Sequence, residues 1–151
     1  MRVAMIGAGY VGLVSGACFA DFGHTVACVD NDADKVAALK RGDMPIFEPG
    51  LAELVAKNVR ENRLSFTTDL ASAVKAAEVV FIAVGTPSRR GDGHADLSYV
   101  FQAARDIASV LDGYKVIITK STVPVGTGDD VERIISELRP DAEFAVASNP
   151  E

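Results

Sequence analysis

The sequence predicts an α/β fold in which one parallel sheet carries helices on both faces. Three observations predict it. Short β-rich runs alternate with longer stretches of helical spacing from one end of the chain to the other. Residues 79–84 carry no charge, as a central strand covered on both faces requires. No repeat and no low-complexity linker interrupts the 151 residues, a length that fits one domain over 1–151.

The strands are expected at 3–6, 25–29, 64–67, 79–84, 116–119 and 144–147. The first ends at Gly7, and Val11, Val14, Cys18 and Phe22 then recur at helical spacing until Gly23 closes that helix. The second strand ends at Asp30. Asp32 is placed to cap the next helix, with Val36 and Leu39 inward and Gly42 as its stop. A connector over 43–48 leads to a helix with Pro49 in its first turn and the stripe Leu51, Leu54, Val55 and Val59. Asp69 opens a short helix through Val74. Residues 87–95, with Arg89, Arg90, Gly91 and Gly93, read as a polar loop. Asp96 caps a helix whose stripe runs Leu97, Val100, Phe101, Ala104, Ile107, Ala108 and Leu111. Thr127 and Asp130 are spaced as a capping box for the helix of Val131, Ile134, Ile135 and Leu138, and Pro140 follows its end.

Composition narrows the function. Hydrophobic residues make up 48% and charged residues 24%, which argues against disorder, and a chain of this length buries roughly 68–70% of its unfolded surface. A formal charge of −6 with a pI near 4.9 argues against a nucleic-acid partner. Cys18 and Cys28 match no disulfide framework and no zinc pattern, so no metal is expected; they read as buried thiols of a reducing, cytoplasmic compartment. Residues 3–20 are uncharged after Arg2 and superficially resemble a signal peptide or membrane span. Gly7, Gly9, Gly12 and Gly16 interrupt them, and a strand, a tight turn and a buried helix account for them better, so no membrane partner is expected.

Gly7-Ala8-Gly9-Tyr10-Val11-Gly12 matches G-x-G-x-x-G. Alone the hexapeptide is weak. Here a strand precedes it, a helix follows, and Asp30 stands 23 residues after Gly7 at the end of the next strand. Gly7 permits the tight turn, Gly9 lets the backbone approach a pyrophosphate, and Gly12 lets helix and strand pack closely. The helix N-terminus offers unpaired N–H groups to the phosphates. Asp30 would accept from the ribose hydroxyls and repel a 2′-phosphate, which favours NAD over NADP. Lys35 reads either as a residue that could tolerate that phosphate or as a solvated helix residue. With this fingerprint the six strands suggest the Rossmann-type doubly wound order 3-2-1-4-5-6.

Two further strands end in polar groups where such folds bind ligands. Val84-Gly85-Thr86-Pro87 could approach a cofactor, or could be a plain turn. Lys120-Ser121-Thr122 follows the fifth strand, and Ser148-Asn149-Pro150-Glu151 follows the sixth. Helix capping would need only one of the hydroxyls after the fifth strand. His24 and His94 have no paired partner signature and read as solvated loop residues.

GAGYVG at 7–12, EPGL at 48–51, VGTP at 84–87, KSTVPVGT at 120–127 and NPE at 149–151 occur in order. Together they resemble the N-terminal NAD-binding domain of the nucleotide-sugar dehydrogenase family, UDP-glucose 6-dehydrogenases in particular, over the whole chain. GAGYVG is generic; KSTVPVGT with VGTP and NPE is specific to the family. The resemblance implies an oxidoreductase of nucleotide-sugar metabolism and polysaccharide biosynthesis that converts UDP-glucose to UDP-glucuronate with two NAD. A first hydride transfer gives an aldehyde, a cysteine captures it, the thiohemiacetal loses a second hydride, and water hydrolyses the thioester. With the glycine turn and the strand ends, the expected cofactor-binding set includes Gly7, Gly9, Tyr10, Gly12, Val84, Gly85, Pro87 and Ser121; the resemblance itself assigns cofactor contacts to Val11, Asp30, Lys35, Thr86 and Thr122. It also assigns catalytic roles to Thr122, which helps position water, and Glu151, a general base. It places the nucleophilic cysteine, the catalytic lysine, asparagine and aspartate, and the UDP-binding domain in sequence beyond residue 151, so this chain alone is expected to be inactive. Full-length members are expected to be homodimers. Cys18 and Cys28 sit in apolar runs unsuited to a nucleophile. GDP-mannose and UDP-N-acetylmannosamine dehydrogenases are alternatives within the family, and a non-catalytic NAD-sensing module is an alternative outside it.

Overall fold

The computed structural model describes residues 1–88 and 93–150. Arg89, Arg90 and Gly91 of the expected polar loop, and Glu151, lie outside the described residues. Strands β1 (Arg2–Ile6), β2 (Thr25–Val29), β3 (Leu64–Thr67), β4 (Val79–Ile82), β5 (Lys115–Thr119) and β6 (Phe144–Ser148) form one sheet in the order β3-β2-β1-β4-β5-β6. All five pairings are parallel, with Met5 level with Cys28 on one side and Phe81 on the other. This is the expected doubly wound arrangement. The chain order reverses between β1 and β4, so the loops leaving those strands diverge and open a crevice at the C-terminal edge.

Helices α1 (Tyr10–Asp21), α2 (Ala33–Arg41) and α3 (Leu51–Arg60) cover one face, over Val3, Met5, Val26, Cys28 and Phe81. Helices α4 (Leu70–Ala76), α5 (Ser98–Val110) and α6 (Thr127–Leu138) cover the other, over Ala4, Ile6, Val80, Ile82 and Ile117. Alternate residues of β1 thus feed opposite cores, which is why the central strands read as unbroken apolar runs. Burying one side chain such as Leu13, fully enclosed under α1, stabilises the fold by about 1.5–3 kcal/mol.

Several local expectations are corrected. The packing face of α1 is Gly12, Leu13, Gly16, Ala17 and Ala20, whereas Val11, Val14 and Cys18 are half-buried and Phe22 is exposed. Glycine and alanine let this helix lie close to the sheet: a Cβ on Gly16 would stand 2.7 Å from Cys28 Sγ. The helix is apolar nearly all round, so spacing alone could not pick the buried stripe. Strand β4 stops at Ile82, because residues 83–88 turn into the ligand-edge loop. Gly50, not Pro49, is the N-cap of α3, and Pro49 lies before the helix. Asp96 lies one position before the N-cap of α5, Leu97, although its carboxylate does accept the Ser98 N–H.

No capping box opens α6. Gly126 is its N-cap, and the Thr127 hydroxyl donates backwards to the Pro124 carbonyl at 2.8 Å. Val59 and Leu138 end their helices on exposed positions rather than in the core. His24 is half-buried, its ring 6.5 Å from that of Phe19, rather than solvated. Asp32 and Asp69 do cap α2 and α4, accepting from the N–H groups of Lys35 and Ser72, and left-handed Gly42 ends α2.

Candidate functional site

The turn after β1 is the most tightly built part of the ligand edge. Gly7 has φ +105°, and a Cβ there would stand 2.5 Å from the Ala83 carbonyl oxygen. A Cβ on Gly12 would come within 1.8 Å of the Gly7 carbonyl oxygen, so strand end and helix can touch only as glycines. Gly9 differs: nothing lies within 4 Å of its would-be Cβ, which leaves open space beside the N-terminus of α1. No side chain caps that helix start, so the positive end of the helix dipole stands beside Gly9 at the cleft. That is a cradle for a pyrophosphate, and it fits the cofactor read from the sequence.

Asp30, at the end of β2, is 9% exposed and fixed from three sides. Its Oδ2 accepts from the Ala8 N–H and from Lys35 Nζ, both at 3.0 Å, and its Oδ1 accepts from the Asp32 N–H at 3.0 Å. Burial pushes its carboxyl pKa up, but the Asp32, Ala8 and Lys35 hydrogen bonds outweigh that, and the net shift is downward. The carboxylate therefore stays charged and oriented. Lys35 belongs to this arrangement, since its ammonium is paired to Asp30 rather than left to solvent.

These groups line one cleft of about 530 Å³ that contains Gly7, Gly9, Asp30, Lys35, Val84 and Gly85. The structure thus gathers six of the expected cofactor residues. Tyr10 opens α1 half-exposed, its hydroxyl donating to Glu48 at 2.9 Å, and Val11 is half-buried behind it. Thr86 and Pro87 continue the β4 loop.

Ser121 and Thr122 stand on the β5 side of this edge. Ser121 is buried, and its hydroxyl donates to the Val84 carbonyl at 2.7 Å; Thr86 donates to the Thr122 carbonyl at 3.0 Å. These bonds tie the β4 and β5 loops together and leave the Thr122 side chain exposed. Lys120 Nζ reaches Asn149 Oδ1 at 3.4 Å, joining the β5 and β6 loops. The other expected catalytic group, Glu151, lies outside the described residues.

Sequence reasoning missed the far wall of the cleft. Asn31, Thr68 and Leu70 follow β2 and β3, and Tyr99, Gln102, Ala103 and Asp106 come from α5. The rule that ligands bind beyond the strand ends would have found Thr68; nothing in the sequence says which face of α5 meets the cleft. Cys28 is buried, and desolvation raises its thiol pKa to about 12, so it is inert. Among the described residues, no group of three His, Cys, Asp or Glu could hold a metal, and no helix is long and apolar enough to cross a membrane.

A doubly wound sheet, an uncapped helix behind a glycine turn and an oriented carboxylate after β2 define a dinucleotide-binding domain. The chain belongs to the UDP-glucose/GDP-mannose dehydrogenase family, whose NAD binding domain model matches residues 1–151. It is 70% identical over its whole length to a UDP-glucose 6-dehydrogenase of Rhizobium meliloti and 54% identical to UDP-glucose 6-dehydrogenase TuaD of Bacillus subtilis. It covers 35% and 32% of those proteins, so it spans about a third of their length. Among solved structures, a ternary complex of GDP-mannose dehydrogenase from Pseudomonas aeruginosa superposes with a TM-score of 0.94 at 36% identity, over 100% of this chain and 36% of that one. A UDP-glucose dehydrogenase from Pyrobaculum islandicum gives 0.93 at 40% identity, over 99% of this chain and 35% of that one.

Proposed function

We propose that this chain is the NAD-binding portion of a UDP-glucose 6-dehydrogenase that oxidises the sugar C6 alcohol to the carboxylate of UDP-glucuronate. The observation that carries the reading is the 70% identity to a UDP-glucose 6-dehydrogenase, supported by a cleft lined by Gly7, Gly9 and the Asp30 carboxylate. Bound NAD supplies the hydride acceptor. The N–H groups at the start of α1 bind its pyrophosphate, and Asp30 accepts from its adenosine ribose hydroxyls. The loops at Val84–Pro87 and Ser121–Thr122, held together by the Ser121 and Thr86 hydrogen bonds, position its nicotinamide half.

The two oxidations run through a cysteine thioester, with Thr122 positioning the hydrolytic water and Glu151 acting as base. Neither Cys18, half-buried on α1, nor Cys28 is the nucleophile. The 151-residue chain therefore binds NAD without turnover. The full protein works as a cytoplasmic homodimer in polysaccharide biosynthesis.

The test pairs two preparations. The 151-residue chain is expected to bind NAD by calorimetry and form no NADH with UDP-glucose. The full-length protein is expected to form two NADH per UDP-glucose. NADH from the short chain would overturn its inactivity. A full-length protein that oxidises GDP-mannose or UDP-N-acetylmannosamine but not UDP-glucose would overturn the substrate.

A further inference from the structure

The register brings Met5, Phe81, Ile118 and Ala147 level across β1, β4, β5 and β6. Cover falls away along this row. Met5 is fully buried, Phe81 is 8% exposed, Ile118 is half-buried and Ala147 is exposed. The neighbouring row, Val3, Val79, Val116 and Ala145, is buried at Val3 and only half-buried from Val79 onwards. Both rows lie on the face that α1, α2 and α3 cover. Helix α1 reaches β4, where the Phe19 ring stacks on Phe81 with centroids 5.1 Å apart. Helices α4, α5 and α6 pack on the opposite face, where Ala4, Val80 and Ile117 are fully buried. Among the described residues, no helix therefore covers β5 and β6 on the first face.

The opposite face has a thinly covered end too, at β3, and its residues differ. Ser65 and Thr67 stand there, level with Ala27 and Val29, and Ser65 is exposed. Polar side chains suit a face left to water. The β5–β6 corner instead carries Val116, Ile118, Ala145 and Ala147, with no polar or charged side chain among them. Parallel sheets occur with both faces covered, and contiguous exposed apolar surface marks a docking site.

Length and connectivity point to the occupant. The chain spans about a third of the length of the relatives it matches, so two-thirds of such a protein is free to supply a cover. The chain leaves β6 at Ser148, on the border of this corner, and successive elements of a chain pack as neighbours. A tethered segment arrives at high effective concentration, whereas a second copy gives up translational freedom. Four side chains, two of them alanines, also fall well short of the roughly 20–30 residues a side that a stable interface between copies uses.

We propose that in the full-length dehydrogenase an apolar segment beyond residue 151 packs over Val116, Ile118, Ala145 and Ala147 and completes the second layer of the sheet. The inference rests on the reading that this chain is one portion of a longer enzyme, and adds where the rest docks.

The test is maleimide labelling of Ala147→Cys in the short chain and in the full-length protein, read by peptide mass at that position. The thiol is expected to react about tenfold more slowly, or slower still, in the full-length protein, and equally fast in both once denatured. Ala147→Glu is expected to move the Tm of the short chain by less than about 2 °C and to lower that of the full-length protein by about 4 °C or more. Hydroxyl-radical footprinting of the two wild-type proteins needs no variant, and is expected to show Ile118 oxidised less in the full-length protein. Equal labelling of the two native proteins overturns the inference. So does protection that vanishes when the full-length protein is diluted to monomers, or protection already present in a short chain that sediments as a dimer, since either assigns the face to a second copy. A full-length protein that shows the protection but forms no NADH from UDP-glucose keeps the docking surface and overturns the substrate reading.

Discussion

In the β1–α1–β2 half of the C-terminal sheet edge, fixed polar groups line the cleft; in the β4–β5 half, hydroxyls are mostly spent tying one loop to the other. Asp30 takes two backbone N–H groups and an ammonium, and stays charged and aimed into the cleft. Gly7 and Gly12 are packed against carbonyl oxygens with no room for a methyl group. Across the crevice, Ser121 spends its hydroxyl on the Val84 carbonyl and Thr86 on the Thr122 carbonyl, while Thr122 and Val125 face solvent. The first half is thus a cleft wall whose carboxylate and glycine turn are fixed by this chain's own backbone and Lys35. The second is a rigid shelf whose outward groups meet whatever lies over it.

The sharpest way to break this contrast is within the glycine turn. Gly12→Ala forces a Cβ to within 1.8 Å of a carbonyl oxygen, and is expected to cost about 3 kcal/mol or more in urea unfolding and to abolish NAD binding. Gly9→Ala meets nothing within 4 Å and is expected to change stability by less than about 1 kcal/mol while still weakening NAD. If both lose stability equally, the distinction between a packing glycine and a ligand glycine is wrong.

Asp30 gives a pH signature. Its native pKa lies below the ordinary 3.8, so its stabilising contribution is fully present above that value and is lost as pH falls through the lower native value. The stability gap between wild type and Asp30→Asn, from urea melts, is expected to be level between about pH 7 and 5 and to close towards pH 3. A gap that stays constant to pH 3 would show that the carboxylate charge contributes nothing.

On the shelf, Ser121→Ala removes the tie to Val84 and is expected to cost about 1–2 kcal/mol in the same measurement, with a smaller loss of NAD affinity than the Gly9 variant shows. The smallest effect belongs to Thr119. Its buried hydroxyl has no hydrogen-bond partner among the described residues, so Thr119→Val is expected to be neutral or up to about 1 kcal/mol stabilising. A clear loss of stability would mean the hydroxyl is paired.

The fold was legible wherever local pattern and global packing agree. Central strands buried on both faces read as apolar runs, and the caps Asp32, Asp69 and Gly42 lie where their chemistry places them. The failures have physical reasons. Helix α1 is apolar all round, so its buried stripe is chosen by the small residues that let it approach the sheet, which spacing does not reveal. The tie from the Ser121 hydroxyl to the Val84 carbonyl, 37 residues away, is likewise invisible in local sequence, because it depends on how the β4 and β5 loops meet. The glycine turn and Asp30 were legible because ligand and backbone demand the same residues there. Gln102 and Asp106 were not, because a polar pair on a helix reads the same whether it faces solvent or a cleft.

The most direct measurement is a calorimetric titration of the chain with NAD and with NADP. An Asp30 carboxylate that is charged, fixed and paired to Lys35 should give saturable one-site binding of NAD and an NADP affinity about tenfold weaker or more. No heat with NAD, or equal affinity for NADP, would contradict a complete and selective site in the first half of the fold.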